Sequence, residues 1–344
     1  MTIMIGIDPH KATHTAVAID NDEAVLEEFK LRASKVQASR LCEWATRFED
    51  REWAVESANG LGYLLAQQLV AAGEVVFDVS PALASRVRVL GSGRSQKNDT
   101  NDACSVAIAA LRSDRPVRVR PDDHARVLRL LVKRHRDMAQ LRAKHCVRLH
   151  ALLAELEPGG IGSTITVSKA KQLVNTVRDD GTPTRYRMLI AEELIADIAR
   201  LDTTLAGSKK RITAAVTASG TSLCDIYGVG PIGAAQIIGY VGDINRFETR
   251  ARFAAYNGTA PIEASSGGRT RHRLNQRGNR KLNHAIHIAA VTQFRNQSEG
   301  RIFYDRKIAE GKTHKEAIRA LKRRISDRVY RHLVADAKRA ATSS

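Results

Sequence analysis

Apolar positions in the first eighty residues fall into short runs separated by polar turns. "IMIGID" (3–8), "HTAVAID" (14–20) and "AVLEEFK" (24–30) are strand-length, and "IDNDEA" forms a tight turn between the second and third. The spacing then becomes helical over 35–49, through Val36, Leu41, Trp44 and Phe48. A strand "EWAVES" (52–57), a helix over about 61–72 and a strand "EVVFDV" (74–79) follow. "GSGRSQKND" (91–99) reads as a polar loop. "DTNDACSVAIAALR" reads as a helix with Asp99 at its N-cap or first turn.

The resulting order is βββαβαβα. Three hairpin-connected strands followed by alternating helices and strands predict a mixed sheet with helices on its faces, which is the order of the ribonuclease H-like fold. From 121 to about 218 there is no strand signal. Val127, Leu131, Met138, Leu141, Leu149 and Leu152 recur at roughly helical spacing. Leu194, Ile198, Leu201, Leu205, Ile212 and Val216 then trace a near-heptad seam with one polar position at Ser208. A helical hairpin or coiled-coil spacer is expected there, either paired within one chain or dimerising. Residues 219–335 are again mainly helical, broken by glycine-rich turns, and end in a basic amphipathic region. The expected division is an α/β domain over 1–120, a helical spacer over 121–218 and a mainly α domain over 219–344.

Charge sharpens this division. The chain has 344 residues and a net charge of +18. Residues 1–120 hold 15 Lys and Arg against 16 Asp and Glu, so the whole excess lies after residue 120. A basic second part of this size points to a polyanion, nucleic acid being the usual one. No apolar run is long enough for a membrane helix, and the N-terminus lacks the features of a signal peptide, so a cytoplasmic protein without a membrane partner is expected. Cys42, Cys104, Cys146 and Cys224 are far apart among apolar neighbours, which predicts buried free thiols.

The chemistry concentrates in four acids. Asp8 ends the first strand and Glu56 the fourth, while Asp99 and Asp102 stand three apart on one face at a helix start. Singly, each has a structural reading: a strand end before Pro9, a cap for the next helix, an N-cap. Together they form a set whose mutual repulsion needs neutralising. Hard divalent cations do this, and two such ions suit in-line phosphoryl displacement. His10 and Lys11, next to Asp8, are candidates for phosphate contact or simply form a turn.

Two further stretches carry candidates. "YGVGPIGAAQ" contains Gly228 and Gly230, in a context that suits a phosphate-facing hairpin at a helix N-terminus better than a dinucleotide-binding turn. "EASSGGRTRHRLNQRGNRKLN" (263–283) runs from two serines and two glycines into Arg269, Arg271, Arg273, Arg277, Arg280 and Lys281, with no acid after Glu263. Arginine forks suit phosphate oxygens.

"GIDPHK", "VES.NG" and "KND..DA", with the "GVGPIGA" hairpin and "GTAPIEASSGG…NQRGNRKLN", resemble the DEDD-type insertion-sequence transposases, the bridge-RNA-guided recombinase family. The resemblance runs over about residues 3–300. It implies a RuvC-like N-terminal domain in which Asp8, Glu56, Asp99 and Asp102 bind Mg²⁺, two ions in all. It implies a C-terminal transposase domain with a catalytic serine before the first glycine, here Ser266 with Ser265 in reserve. It further implies donor and target DNA, a noncoding guide RNA, a serine-linked DNA intermediate and a homo-oligomer, dimer or tetramer, working at the nucleoid of a prokaryote. The residues alone leave open a RuvC-like junction nuclease using metal-activated water, and a nonenzymatic nucleic-acid-binding protein.

Overall fold

The structure, a computed structural model, describes residues 2–90, 98–114, 116–263, 272–273 and 278–342. The chain divides into two compact units, Met1–Asp122 and Asp123–Ser344.

The first unit is built in the order β1 (Ile3–Pro9), β2 (Thr13–Ile19), β3 (Val25–Arg32), α1 (Gln37–Ala45), β4 (Arg51–Glu56), α2 (Tyr63–Ala71), β5 (Val76–Val79), α3 (Pro81–Leu90), α4 (Asp99–Leu111) and β6 (Val117–Arg118). The sheet order is β3-β2-β1-β4-β5-β6. β1 and β4 are parallel, as are β4 and β5, while the β1/β2, β2/β3 and β5/β6 pairs are antiparallel. This is the mixed sheet expected. The additional helix α3 was not legible because, of its ten residues, only Ala84 is fully buried while Leu83, Val89 and Leu90 stay exposed.

Strand periodicity sorts the core into two layers. Ile5, Ile7, Trp53 and Val55 face α1 and α2, packing with Leu41, Trp44, Leu65 and Leu69. Met4 and Ala54 face the other way, with Val17, Phe77 and Val79, onto α3 and α4. Gly6 shares that second face. A Cβ at Gly6 would collide with the carbonyl oxygen of Ala103, and would lie 2.5 Å from the Ala107 nitrogen and 2.8 Å from its Cβ. The absent side chain therefore lets α4 lie directly on β1, and residues 103–110 of α4 are buried without interruption.

The second unit comprises α5 (His124–Leu156), α6 (Val167–Thr176), α7 (Thr182–Ala218), α8 (Pro231–Val241), α9 (Arg250–Tyr256), β7 (Ile262–Glu263), β8 (His272–Arg273), α10 (Arg280–Arg295), α11 (Glu299–Ala309) and α12 (His314–Thr342). The long helices α5 and α7 pack on each other within one chain. Toward one end Leu149 and Leu153 meet Ile195, Ile198 and two residues of α6. Toward the other, Leu128 and Val132 join Ile212, Val216 and the core of α8, α10 and α12. The polar seam position Ser208 is buried, and its Oγ lies 3.1 Å from His135 Nδ1. The cysteines depart from expectation: only Cys104 is fully buried, Cys42 and Cys146 are partly buried and Cys224 is exposed, because it sits on a short 3-10 turn over Leu223–Asp225. Among the described residues no helix is long and apolar enough to cross a membrane.

Gly6→Ala forces backbone of α4 off the sheet and is expected to cost about 1–3 kcal/mol, the range for overpacking. Urea unfolding measures it. Gly162→Ala, where an added Cβ meets nothing within 4 Å, serves as the control and is expected to stay within about 0.5 kcal/mol of the parent.

Candidate active site

The parity that aims Met4 and Gly6 at α4 also aims Asp8 that way, and Ala54 does the same for Glu56. The last recorded β1/β4 pair is Ile7 with Val55, so Asp8 and Glu56 come next on neighbouring parallel strands. Asn98 caps α4 by accepting from the Asn101 backbone N–H, which places Asp99 and Asp102 in the first turn. Sheet and helix thus converge four carboxylates, but unequally. Asp8, His10 and Asp99 have ligand atoms within 4.8 Å of one another. Glu56 is felt through its charge: burial, then Asp8, then Asp102 push its pKa above the usual carboxylate range, with Arg88 and His10 opposing.

Two cations of the chain already stand among these acids. Lys30 Nζ donates to Asp99 Oδ2 at 2.8 Å, and this bond is the main reason the Asp99 pKa is lowered. Arg88 on α3 donates to Asp102. Neither was picked out by sequence reasoning, yet strand register locates Lys30. Asp8 pairs with Thr15 and Thr15 with Lys30, so the three occupy one rung across the sheet. His10 is about half exposed, with Nδ1 3.6 Å from Asp8 Oδ2, and Lys11 is exposed.

The loop after Glu56 is tightly specified. Ser57 adopts φ 52°, an unfavourable conformation for a residue with a side chain. Asp78 of β5 accepts from the Ala58 N–H at 2.8 Å and from Asn59 Nδ2 at 2.9 Å. At Gly62 a Cβ would lie 2.7 Å from the Glu56 carbonyl oxygen and 3.0 Å from Pro9 Cγ, so this turn closes against both strand ends.

The donor set fits a divalent cation of the hard, oxygen-seeking kind. It is dominated by carboxylates, one of them held against its preference for being charged. The Thr15 hydroxyl, on the Asp8 rung, is buried with no hydrogen-bond partner among the described residues. A cation's hydration shell would satisfy it.

In the second unit, Ser265, Ser266, Arg269, Arg271 and Arg277 lie outside the described residues. Arg273 contributes its backbone to β8, paired with Ile262. The chain on the far side of this segment is held firmly. Asn279 caps α10, its Nδ2 donates to Tyr256 Oη at 3.0 Å, and Asn283 Nδ2 donates to the buried Asn257 carbonyl at 2.9 Å. Arg280 and Lys281 are exposed at the start of α10. They belong to a cationic group that sequence reasoning missed. The pKa of Lys322 on α12 is lowered by burial and then by Arg280; that of His284 by burial and then by Arg136, Lys281 and Lys322. The signal was the i, i+4, i+7 spacing of Arg280, His284 and His287 along α10.

Gly228 and Gly230 differ in their requirements. Gly228 has φ +85°, and a Cβ there would sit 2.8 Å from the Ala289 carbonyl oxygen, so helix packing alone demands glycine. Gly230 caps α8, ahead of Pro231, and borders open space. A 3-10 turn rather than a strand precedes this hairpin, which rules out a dinucleotide-binding turn.

Comparison with known proteins bears on both units. A DEDD transposase model of the IS110 type matches residues 5–158, and a second, "Transposase IS116/IS110/IS902 family", matches residues 220–305. The chain belongs to the IS110/IS116 transposase family. The transposase is 28% identical, over 94% of its length and 93% of the relative's, to the uncharacterized 44.8 kDa protein of insertion element IS116 from Streptomyces clavuligerus. A stretch of 106 residues, 30% of this chain and 26% of the other, is 39% identical to the 43.6 kDa protein of insertion element IS110 from Streptomyces coelicolor. Among solved structures, Thermus thermophilus RuvC in complex with a Holliday junction substrate overlaps 35% of the transposase and 100% of its own chain, at 15% identity and a TM-score of 0.28.

The raised pKa of Glu56 has a consequence for stability. The folded protein holds this proton more tightly than the unfolded chain, so stability falls as pH rises from the ordinary glutamate range, about 4.3, through the raised value. In chelator, Glu56→Gln is therefore expected to raise Tm at pH 7, with the gain shrinking toward pH 4. Thermal unfolding across that range checks it, and a pH-independent difference would remove carboxylate crowding as the cause.

Proposed function

We propose that the transposase cuts and rejoins DNA through a serine-linked intermediate. The observation that carries this reading is the convergence of Asp8, Glu56, Asp99 and Asp102 at the ends of β1 and β4 under the first turn of α4. These four would hold divalent cation, Mg²⁺ as two ions. When bound, Mg²⁺ supplies positive charge that activates a nucleophile and stabilises developing charge on oxygen. Lys30 and Arg88 hold Asp99 and Asp102 in place, contacts they would give up to a bound cation. His10 and Lys11 face the phosphate backbone.

Ser266, with Ser265 in reserve, is the nucleophile. Its Oγ forms a bond to a DNA phosphorus as it gives up its proton, and the P–O bond to one strand breaks, that oxygen leaving as a hydroxyl. A strand hydroxyl then attacks the phosphoserine, the serine oxygen recovers a proton and the DNA is resealed. Arg269, Arg271, Arg273, Arg277, Arg280 and Lys281 hold backbone phosphates beside it, and the Gly228–Gly230 hairpin offers backbone N–H groups to another. Donor and target DNA are paired by a noncoding guide RNA carried on the basic residues after 120. Residues 121–218 serve as a spacer that supports a dimer or tetramer, and the place of action is the prokaryotic nucleoid.

Ser266→Ala is expected to abolish the covalent protein–DNA adduct, read on a denaturing gel, while DNA binding survives. An undiminished adduct would move the chemistry to Ser265 or defeat the serine reading, and Mg²⁺-dependent nicking without any adduct would favour a hydrolytic junction nuclease. Asp8→Asn is expected to slow strand cleavage at least about 100-fold, about 2.7 kcal/mol of barrier, and to remove the rise in Tm on adding Mg²⁺. Retention of both would reject the metal site.

A further inference from the structure

The C-terminal helix α12 carries a feature that none of the proposed chemistry uses. Arg324, Arg328, Arg331, Ala335 and Arg339 recur at intervals of four, three, four and four, which is one face of a helix. That face forms one wall of a cavity of about 510 Å³, closed on the other side by Ser222 and Asp225 before α8 and by Glu299 at the start of α11. Ala335 leaves its floor open.

The charges there do not cancel. Arg328 pairs with Glu299 at 3.1 Å and Arg339 with Asp336 at 2.5 Å. Arg324 has no carboxylate partner among the described residues and rests over the Phe303 ring, 5.0 Å from its centroid. Arg331 has neither a carboxylate nor a ring among the described residues, and both arginines are exposed. Two guanidinium forks therefore face the cleft with their donors unspent. Stacking holds Arg324 in place, so little ordering entropy remains to be lost when an anion binds.

The far wall is rigid. Asp336 accepts from Thr221 Oγ1 at 2.8 Å, from Ser222 Oγ at 2.7 Å and from the Ser222 backbone N–H at 3.1 Å. The single proton of the Ser222 hydroxyl goes to that carboxylate, so the oxygen must accept from His332 Nδ1–H, 2.8 Å away. This pins the imidazole as a wall of the cleft.

We infer that this cleft grips the phosphate backbone of duplex DNA, through residues other than 263–283 and other than the acids of the first unit; the inference rests on the transposase reading. Guanidinium forks match phosphate oxygens. From Arg324 to Arg339 the stripe runs about 22 Å, about six nucleotides at the 3.4 Å rise of one strand. Single-stranded nucleic acid is bound by stacking its bases on open aromatic faces. Among the described residues the only ring lining this cleft is His332, which is tied to Ser222. The chemistry therefore reads backbone, not unstacked bases, and its contribution is independent of sequence.

The test measures affinity of the full-length protein for a 30-bp random-sequence duplex by fluorescence anisotropy from low to high salt, with single-stranded RNA of the same sequence in parallel (probe lengths about three helical turns). Arg324→Ala/Arg331→Ala is expected to weaken duplex binding about tenfold or more and to reduce the slope of log K against log salt by about 2, one unit per lost phosphate contact. Ala335→Asp keeps every arginine but puts an anion on the cleft floor, and is expected to produce a loss of the same kind at an unchanged Tm. Slopes equal to wild type in both variants would overturn the proposal, as would a loss confined to the RNA probe. A wild-type protein unable to bind the duplex at all would overturn the transposase reading as well, whereas normal binding with unaltered slopes would sink the cleft alone.

Discussion

The candidate active site depends on one close approach. α4 touches β1 backbone to backbone because Gly6 has no side chain and Ala103 and Ala107 have the smallest ones. Packing this tight fixes the axial position of the helix over the strand. Asp102 precedes Ala103 in α4, while Asp8 lies two residues beyond Gly6 on the same face of β1. The contact therefore sets where the first turn of α4 meets the end of the strand. A larger residue at Gly6 would lift the helix and part the carboxylates without touching any of them. Preorganisation of this kind is what a site needs when its groups repel one another.

The repulsion is real in this structure and is only partly offset. Lys30 answers Asp99 and Arg88 answers Asp102, while Glu56 has no hydrogen-bond partner among the described residues, and burial, then the charges of Asp8 and Asp102, raise its pKa. Exposed pairs such as Lys30–Asp99 contribute little to stability. Their value here is to keep acids charged and oriented. The φ of Ser57 and the hydrogen bonds that Asp78 accepts show the same economy of design: the loop after Glu56 is held in an unfavourable conformation by its neighbours. Strain and like charge are concentrated at one end of the sheet, and the rest of the first unit, with its two apolar layers, holds them there.

Much of this was legible beforehand because strands carry their own ruler. Alternation aims Asp8 and Glu56 at the same face once β1 and β4 are known to be neighbours, and the βββαβ order supplies that knowledge. Asp99 and Asp102 follow from helix spacing. What stayed hidden were partners whose closeness is purely tertiary. Lys30 joins Asp8 through two antiparallel registers, and Arg88 sits on α3, a helix whose exposed leucines and valine conceal its period. The second unit shows the same limit. The basic helices were evident, but the gathering of Arg136, Lys281, His284 and Lys322 from three helices, and the cleft between α12 and Ser222, exist only once the helices are packed.

Charge partition explains why the two kinds of site need each other. Residues 1–120 are close to neutral, and their most notable feature is a knot of carboxylates, whose own charge repels phosphate. Such a unit has little electrostatic affinity for DNA. Nearly all of the attraction must therefore come from the remainder of the chain, which carries 40 of the 55 basic residues. Backbone grip and metal chemistry make opposite electrostatic demands. A cluster of acids strong enough to hold divalent cation would weaken any phosphate-binding surface built around it, and basic side chains placed among those acids, as Lys30 and Arg88 are, would compete with such a cation. Housing the two in separate units lets each be tuned without loss to the other.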